Sequence, residues 1–208
     1  MSFFNSRYPR YFRLKRFLAV FLFLSIFSGI ASIVGQASSL EEKRRVGRVQ
    51  ATYLNHLISF TQWDKADLPV GGNKSRILIL GDEDYGLIES FRFLSKQSQL
   101  QIGGNEASIL HFKNSEKKSA KSALEKKPQV ILILSSASYN LDEIKKTSPQ
   151  SLYIGNYKTF VTEQKGDIAF YLQKNRVRLM IDKVAFKRKS PKLSSQISTL
   201  RNVVELTP

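Results

Sequence analysis

The sequence predicts an α/β fold, a three-layer sandwich on a mixed, mostly parallel sheet that closes with a C-terminal β-hairpin and a terminal helix. Three observations predict it. Two short continuous apolar runs, Arg76 to Gly81 and Gln129 to Leu134, have the composition of strands covered on both faces. Segments of helical periodicity alternate with such runs, the order from which parallel sheets flanked by helices are built. Two later runs, Asp167 to Leu172 and Val177 to Asp182, flank a polar turn at Lys174-Asn175 and read as a hairpin, which makes the sheet mixed.

The N-terminus has the pattern of an export signal. Residues Tyr8 to Arg16 are basic without an acid, and Phe17 to Val34 follow as an almost uninterrupted apolar run. Gly35 and Ala37 offer small side chains at the minus-three and minus-one positions, so cleavage after Ala37 is expected, with residues 1–37 as signal peptide and 38–208 as one domain. The apolar run, at about 18 residues, also approaches the length of a membrane span, which leaves an uncleaved anchor as the alternative. Either way the basic flank stays cytoplasmic and the rest of the chain is expected in the periplasm.

Beyond the leader, Val46, Val49, Tyr53, Leu54, Leu57, Ile58 and Phe60 recur at three- and four-residue steps and predict a long amphipathic helix from Glu41 to Trp63. Asp64 to Ser75, with Pro69 and Gly71-Gly72, reads as a loop. After the first apolar strand come a helix near Tyr85 to Lys96, strands at Leu100 to Gly103 and Ala107 to Phe112, and a Lys-rich helix near Ser115 to Lys126. The second apolar strand is followed by a helix from Ser138 to about Thr147 and a short strand at Ser151 to Ile154. Behind the hairpin, Leu193, Ile197, Leu200 and Val204 would share one face of a terminal helix.

Charge is the unusual quantity. The chain has 33 Lys and Arg against 17 Asp and Glu; without the five leader bases Arg7, Arg10, Arg13, Lys15 and Arg16, 28 bases face 17 acids, a net charge of +11. Such a surface attracts anionic lipid, nucleic acid or an acidic partner. An exported domain seldom meets nucleic acid, so no nucleic-acid partner is expected, whereas contact with an anionic membrane surface stays open. The lysine clusters at 117–127 and 183–192 read as solvated faces.

The motifs argue against catalysis. With no cysteine there are no disulfides, thiolate nucleophiles or cysteine zinc sites. Gly71-Gly72-Asn73-Lys74-Ser75 precedes a strand, whereas a phosphate loop follows one and opens a helix. His56 and His111 have no His, Cys or acid at ligand spacing, and no serine lies in a Gly-x-Ser-x-Gly elbow. No catalytic residue, cofactor or metal is therefore assigned. Asp82-Glu83-Asp84, at a strand end, has two readings: a small-ligand or cation site, or acids that cap and complement the next helix. Tyr53 and Phe60 suit a core face. Trp63, at the helix boundary, and Arg176 and Arg178, on the closing hairpin, are the candidates for contact with a protein partner, because interfaces favour Trp and Arg.

Three stretches together resemble the YfiR family of periplasmic proteins. Ala51 to Trp63 resembles its opening helix, which ends in an aromatic residue, two variable residues and Trp; Ile77 to Asp82 with Tyr85-Gly86 is similar to its first strand and following helix. Gly166 to Asp182, with Leu193 to Ile197 and Leu200 to Val204, looks like its closing hairpin and terminal helix. The resemblance covers about Val46 to Leu206. Many members carry cysteine pairs that are missing here, Lys165 stands where a second glycine is common, and Asp182 stands where the hairpin usually ends in Asn. The resemblance implies a mixed-sheet α/β sandwich, often a homodimer, that binds the sensor region of an inner-membrane diguanylate cyclase of the YfiN type and lowers cyclic di-GMP output. Such repression needs only preferential binding to one state of the cyclase.

Overall fold

The described residues of the computed structural model are 40–82, 86–97, 99–199 and 204–207. The chain divides into two units, Met1–Glu42 and Lys43–Pro208. The leader expected at 1–37 lies outside the described residues, and the architecture below belongs to the second unit.

The elements follow in order. Helix α1 (40–59) leads into β1 (Thr61–Gln62), and β2 (Ser75–Leu80) precedes α2 (Leu87–Lys96). Then come β3 (Gln101–Ile102), β4 (Asn105–Phe112), α3 (Lys117–Leu124), β5 (Val130–Ile133), α4 (Leu141–Thr147) and β6 (Leu152–Gly155). The short α5 (Thr159–Thr162), the hairpin β7 (Ile168–Gln173) and β8 (Arg176–Ile181), β9 (Lys192–Leu193) and β10 (Val204–Leu206) complete the chain. One sheet runs in the order β10-β8-β7-β6-β5-β2-β4-β3, with β1 and β9 forming a separate antiparallel pair. Only β7 with β8 and β3 with β4 pair antiparallel in the large sheet; its other neighbours are parallel.

Strand alternation creates two cores. On β2, Ile77 and Ile79 face a layer with Leu54, Leu57 and Ile58 of α1 and Leu87, Ile88 and Phe91 of α2. Leu78 and Leu80 face the opposite layer with Ala120, Ala123 and Leu124 of α3, Leu141 and Ile144 of α4 and Phe160 of α5. Because both faces of β2 and β5 are covered, these strands read as unbroken apolar runs. This is the three-layer α/β sandwich with a mixed, mostly parallel sheet and C-terminal hairpin that the sequence predicts. The hairpin turns at Lys174 (φ 50°) and Asn175 (φ 59°), two left-handed residues in the geometry of a two-residue loop.

Two elements differ from the expectation. Among the described residues the terminal helix does not form: Lys192–Leu193 is β9, Ser195–Thr199 is a 3₁₀ turn, and Val204–Leu206 runs parallel to Leu179–Ile181. Leu193 and Ile197 are both buried, as the periodicity requires, but tertiary pairing overrides helix formation. Thr61–Gln62 takes the backbone groups of Lys192–Leu193, and the Ser194 hydroxyl accepts from the Gln196 N–H, a local alternative to helical bonding. The same pairing ends α1 at residue 59 rather than at Trp63. There the Thr61 hydroxyl donates to the Leu57 carbonyl before the chain turns into β1.

Lys165, which stands where a second glycine is common in the family the sequence resembles, has a φ of 58°. A side chain in the left-handed region costs about 1 kcal/mol or more, whereas glycine adopts it freely. Lys165→Gly is expected to raise the urea midpoint by a stability gain of up to about 1 kcal/mol, and an unchanged or lower midpoint would contradict this reading.

Candidate partner-binding surface

In parallel α/β sheets ligands bind beyond the carboxyl ends of the strands, at the point where connections leave in opposite directions. Here that point lies between β2 and β5, and the protein's own groups occupy it. Asp82, just past β2, accepts from the Asn114 backbone N–H at 3.4 Å and from the Asn114 amide at 2.7 Å. The same amide donates to the Ser136 carbonyl, the Ser136 hydroxyl donates to the Asp82 carbonyl at 2.6 Å, and Asn114 Oδ1 accepts from Ser138. A Cβ on Gly81, whose φ is 115°, would lie 3.0 Å from that of Ala137, so the two loops touch. Tyr139 donates to the Lys113 carbonyl; burial foremost, then the negative charges of Glu116 and Asp82, hold its hydroxyl above the usual phenol range.

This network stitches three loops together and leaves the Asp82 carboxylate engaged on both oxygens. Glu83 and Asp84 lie outside the described residues. Among the described residues no group of three or more His, Asp or Glu could hold a metal ion. His111 bonds the Gly81 carbonyl at 2.8 Å and His56 is exposed on α1.

The surface around α1 is different in kind. On one side the helix meets the start of β8 in an open groove of ≈ 310 Å³, with Arg45, Val46, Val49 and Tyr53 facing Asn175 to Arg178. Arg176 is exposed, whereas Arg178 is partly buried with its Nε enclosed and without a hydrogen-bond partner among the described residues. Trp63 is partly buried against the α1-side core, and its indole N–H is also enclosed without a partner among the described residues. A buried donor without an acceptor costs about 1–3 kcal/mol, so an acceptor reaching either group would be rewarded. The structure brings Arg176 and Arg178 together; Trp63 does not line their groove.

On the other side of α1, a trough of ≈ 790 Å³ separates it from α2. Arg44 and Arg48 of α1 and Arg92 and Lys96 of α2 rim it, and Phe93 stands 60% exposed within the lining. Sequence reasoning missed this feature. A signal was present: each cation pair is spaced four residues apart, and Phe93 falls off the stripe formed by Leu87, Ile88 and Phe91.

No helix among the described residues is long and apolar enough to cross a membrane. A family model described as YfiR/HmsC-like matches residues 47–200, from the first core-facing turns of α1 to the last core-facing segment before β10. No curated protein matches the chain.

Proposed function

The chain belongs to the YfiR/HmsC-like family, and from that premise we propose that it is a periplasmic regulator which binds the sensor region of an inner-membrane diguanylate cyclase and holds it inactive. The family match over most of the chain carries this reading. In it, residues 1–37 are an export signal, cleaved after Ala37, and 38–208 are the single mature domain. The reading requires no catalytic residue and no cofactor. A regulator that binds the inactive state more tightly shifts the cyclase by the ratio of its two affinities, and one that binds both states equally does nothing.

The grooves flanking α1 suit this role better than the strand-end crevice does, because Asp82 is already engaged by Asn114 while the cations around α1 stand at the surface. Trp63, Arg176 and Arg178 remain our candidates for partner contact. Disulfide control is excluded by the absence of cysteine.

Deleting the gene in its native host is expected to raise cyclic di-GMP and surface matrix, and re-expression of the full chain is expected to restore both. Re-expression of 38–208 without the leader should not restore them. Unchanged cyclic di-GMP in a deletion strain that expresses its membrane cyclases would refute the proposal.

A further inference from the structure

We propose that the trough between α1 and α2 is the docking site for an acidic, amphipathic protein segment of the membrane partner's periplasmic region. The inference rests on the regulator reading above and assigns it a surface.

The trough is built by a close approach of the two helices. A Cβ on Gly47 would lie 2.7 Å from the Leu87 nitrogen and 2.8 Å from the Gly86 carbonyl carbon, so the start of α2 sits directly on the backbone of α1. Ala51, Thr52 and Ser90 contribute small side chains to the lining, which keeps the space between the helices open. The charge there is one-sided. Arg44, Arg48, Arg92 and Lys96 all line the trough and are exposed, against one acid among the described lining residues, Glu89. An occupant must therefore be anionic.

It must also be apolar on one side. Phe93 exposes 60% of its surface, while Leu87, Ile88 and Phe91 on the same helix expose 5% or less. A phenyl ring left in water beside four cations gains by burial against an apolar face, and the aliphatic stems of the flanking arginines extend that face. Concavity separates a protein from a lipid occupant. A flat bilayer surface would rest on the rim and leave the space between the helices wet, whereas a helix or strand with alternating apolar and acidic side chains fills it. Charge at the rim then steers encounter, and Phe93 supplies the buried contact.

The test uses the mature chain and, as probes, the purified periplasmic regions of the membrane diguanylate cyclases encoded in the same genome. Arg48→Glu with Arg92→Glu should slow association and weaken binding by about tenfold or more, with the loss shrinking at high salt, as reversals of rim charge do. Phe93→Ser should weaken it about tenfold or more. Lys118→Glu with Lys121→Glu, on α3 in the opposite layer, should leave it unchanged. Matching thermal midpoints would show that the variants are folded.

If a cyclase region binds the wild-type chain and all trough variants equally, the docking site is elsewhere and the regulator reading survives. If no cyclase region binds the wild-type chain, both fall. Binding to phosphatidylglycerol–phosphatidylethanolamine vesicles that the trough variants lose, with cyclase binding intact, would reassign the surface to lipid. A dimer that the same variants dissociate would reassign it to a second copy of the chain. Either result overturns the proposal.

Discussion

Phe160→Ala is expected to cost the domain about 3–5 kcal/mol, one of the largest effects of any single truncation in this core. The ring is fully buried in the layer beneath α3, α4 and α5, and it lies against two places where the backbone carries no side chain. A Cβ added at Gly155 would fall 2.2 Å from its Cγ, and one at Gly166 would fall 2.1 Å from its Cε1. The end of β6 and the approach to β7 are thus shaped around one phenyl group. Truncating the ring leaves a cavity that two strand ends cannot close. The converse follows: Gly166→Ala alone should destabilise by about 1–3 kcal/mol or more through overpacking. In a Phe160→Ala background the same change should cost much less, because the three atoms nearest the added Cβ, Cε1, Cδ1 and Cζ of the ring, are gone. Urea unfolding of the four chains in this cycle measures the coupling, and simple additivity would show that the ring and a side chain at position 166 do not compete for one volume.

Arg188→Met is expected to cost about 3 kcal/mol at neutral pH and less in acid. Arg188 donates to Asp167 at 2.7 Å and to the Pro149 carbonyl at 3.1 Å, and Asp167 also accepts from the Tyr153 N–H at 2.9 Å. Burial pushes the Asp167 carboxyl up from its ordinary value, while the Arg188 guanidinium and the Tyr153 N–H pull it only part of the way back. A carboxyl raised on folding binds its proton more tightly in the folded state. Its contribution to stability is therefore full below the ordinary value of 3.8 and declines as pH rises through the raised one. Removing Arg188 lifts the carboxyl further, so the decline becomes steeper and the neutral-pH loss larger. Urea unfolding at neutral pH and at a pH below 3.8 should show this narrowing, and Asp167→Asn should rescue most of the Arg188→Met loss. A loss that grows on acidification would refute the buried-charge explanation.

How much of this could be read from the sequence depends on where the information resides. Strands β2 and β5 were legible because both faces are buried, which forces continuous apolar runs in Ile77 to Leu80 and Val130 to Ile133. The hairpin was legible because its turn needs residues that tolerate positive φ, as Lys174-Asn175 does. The segment after Leu193 was not. Leu193 and Ile197 are buried, as its apolar spacing implies, but the backbone's choice between helix and strand is made by pairing with Thr61–Gln62 and Leu179–Ile181, outside any local window. Helix α5 escaped notice because four residues are too few to show a period.

The candidate surface divides in the same way. Composition alone pointed to Arg176 and Arg178, which do share a groove with α1. The trough beside α2 depends on the contact between Gly47 and Gly86-Leu87, which no local pattern announces. Asp82 was visible as an acid at a strand end, but its engagement by Asn114 required the fold.

The pairing of Thr61 with Leu193 and of Leu179 with Val204 also bears on when this chain can fold. Synthesis delivers residues from the N-terminus, yet the second strand of the small sheet and the edge strand β10 of the large one follow every other strand of the domain. Until then the segment after α1 has no strand to pair with and β8 lacks a neighbour on one side, so the sheet cannot be completed stepwise. Closing the loop between Thr61 and Leu193 is slow, so the small sheet forms late. Late closure keeps a polypeptide threadable for longer, which is what the proposed export would require.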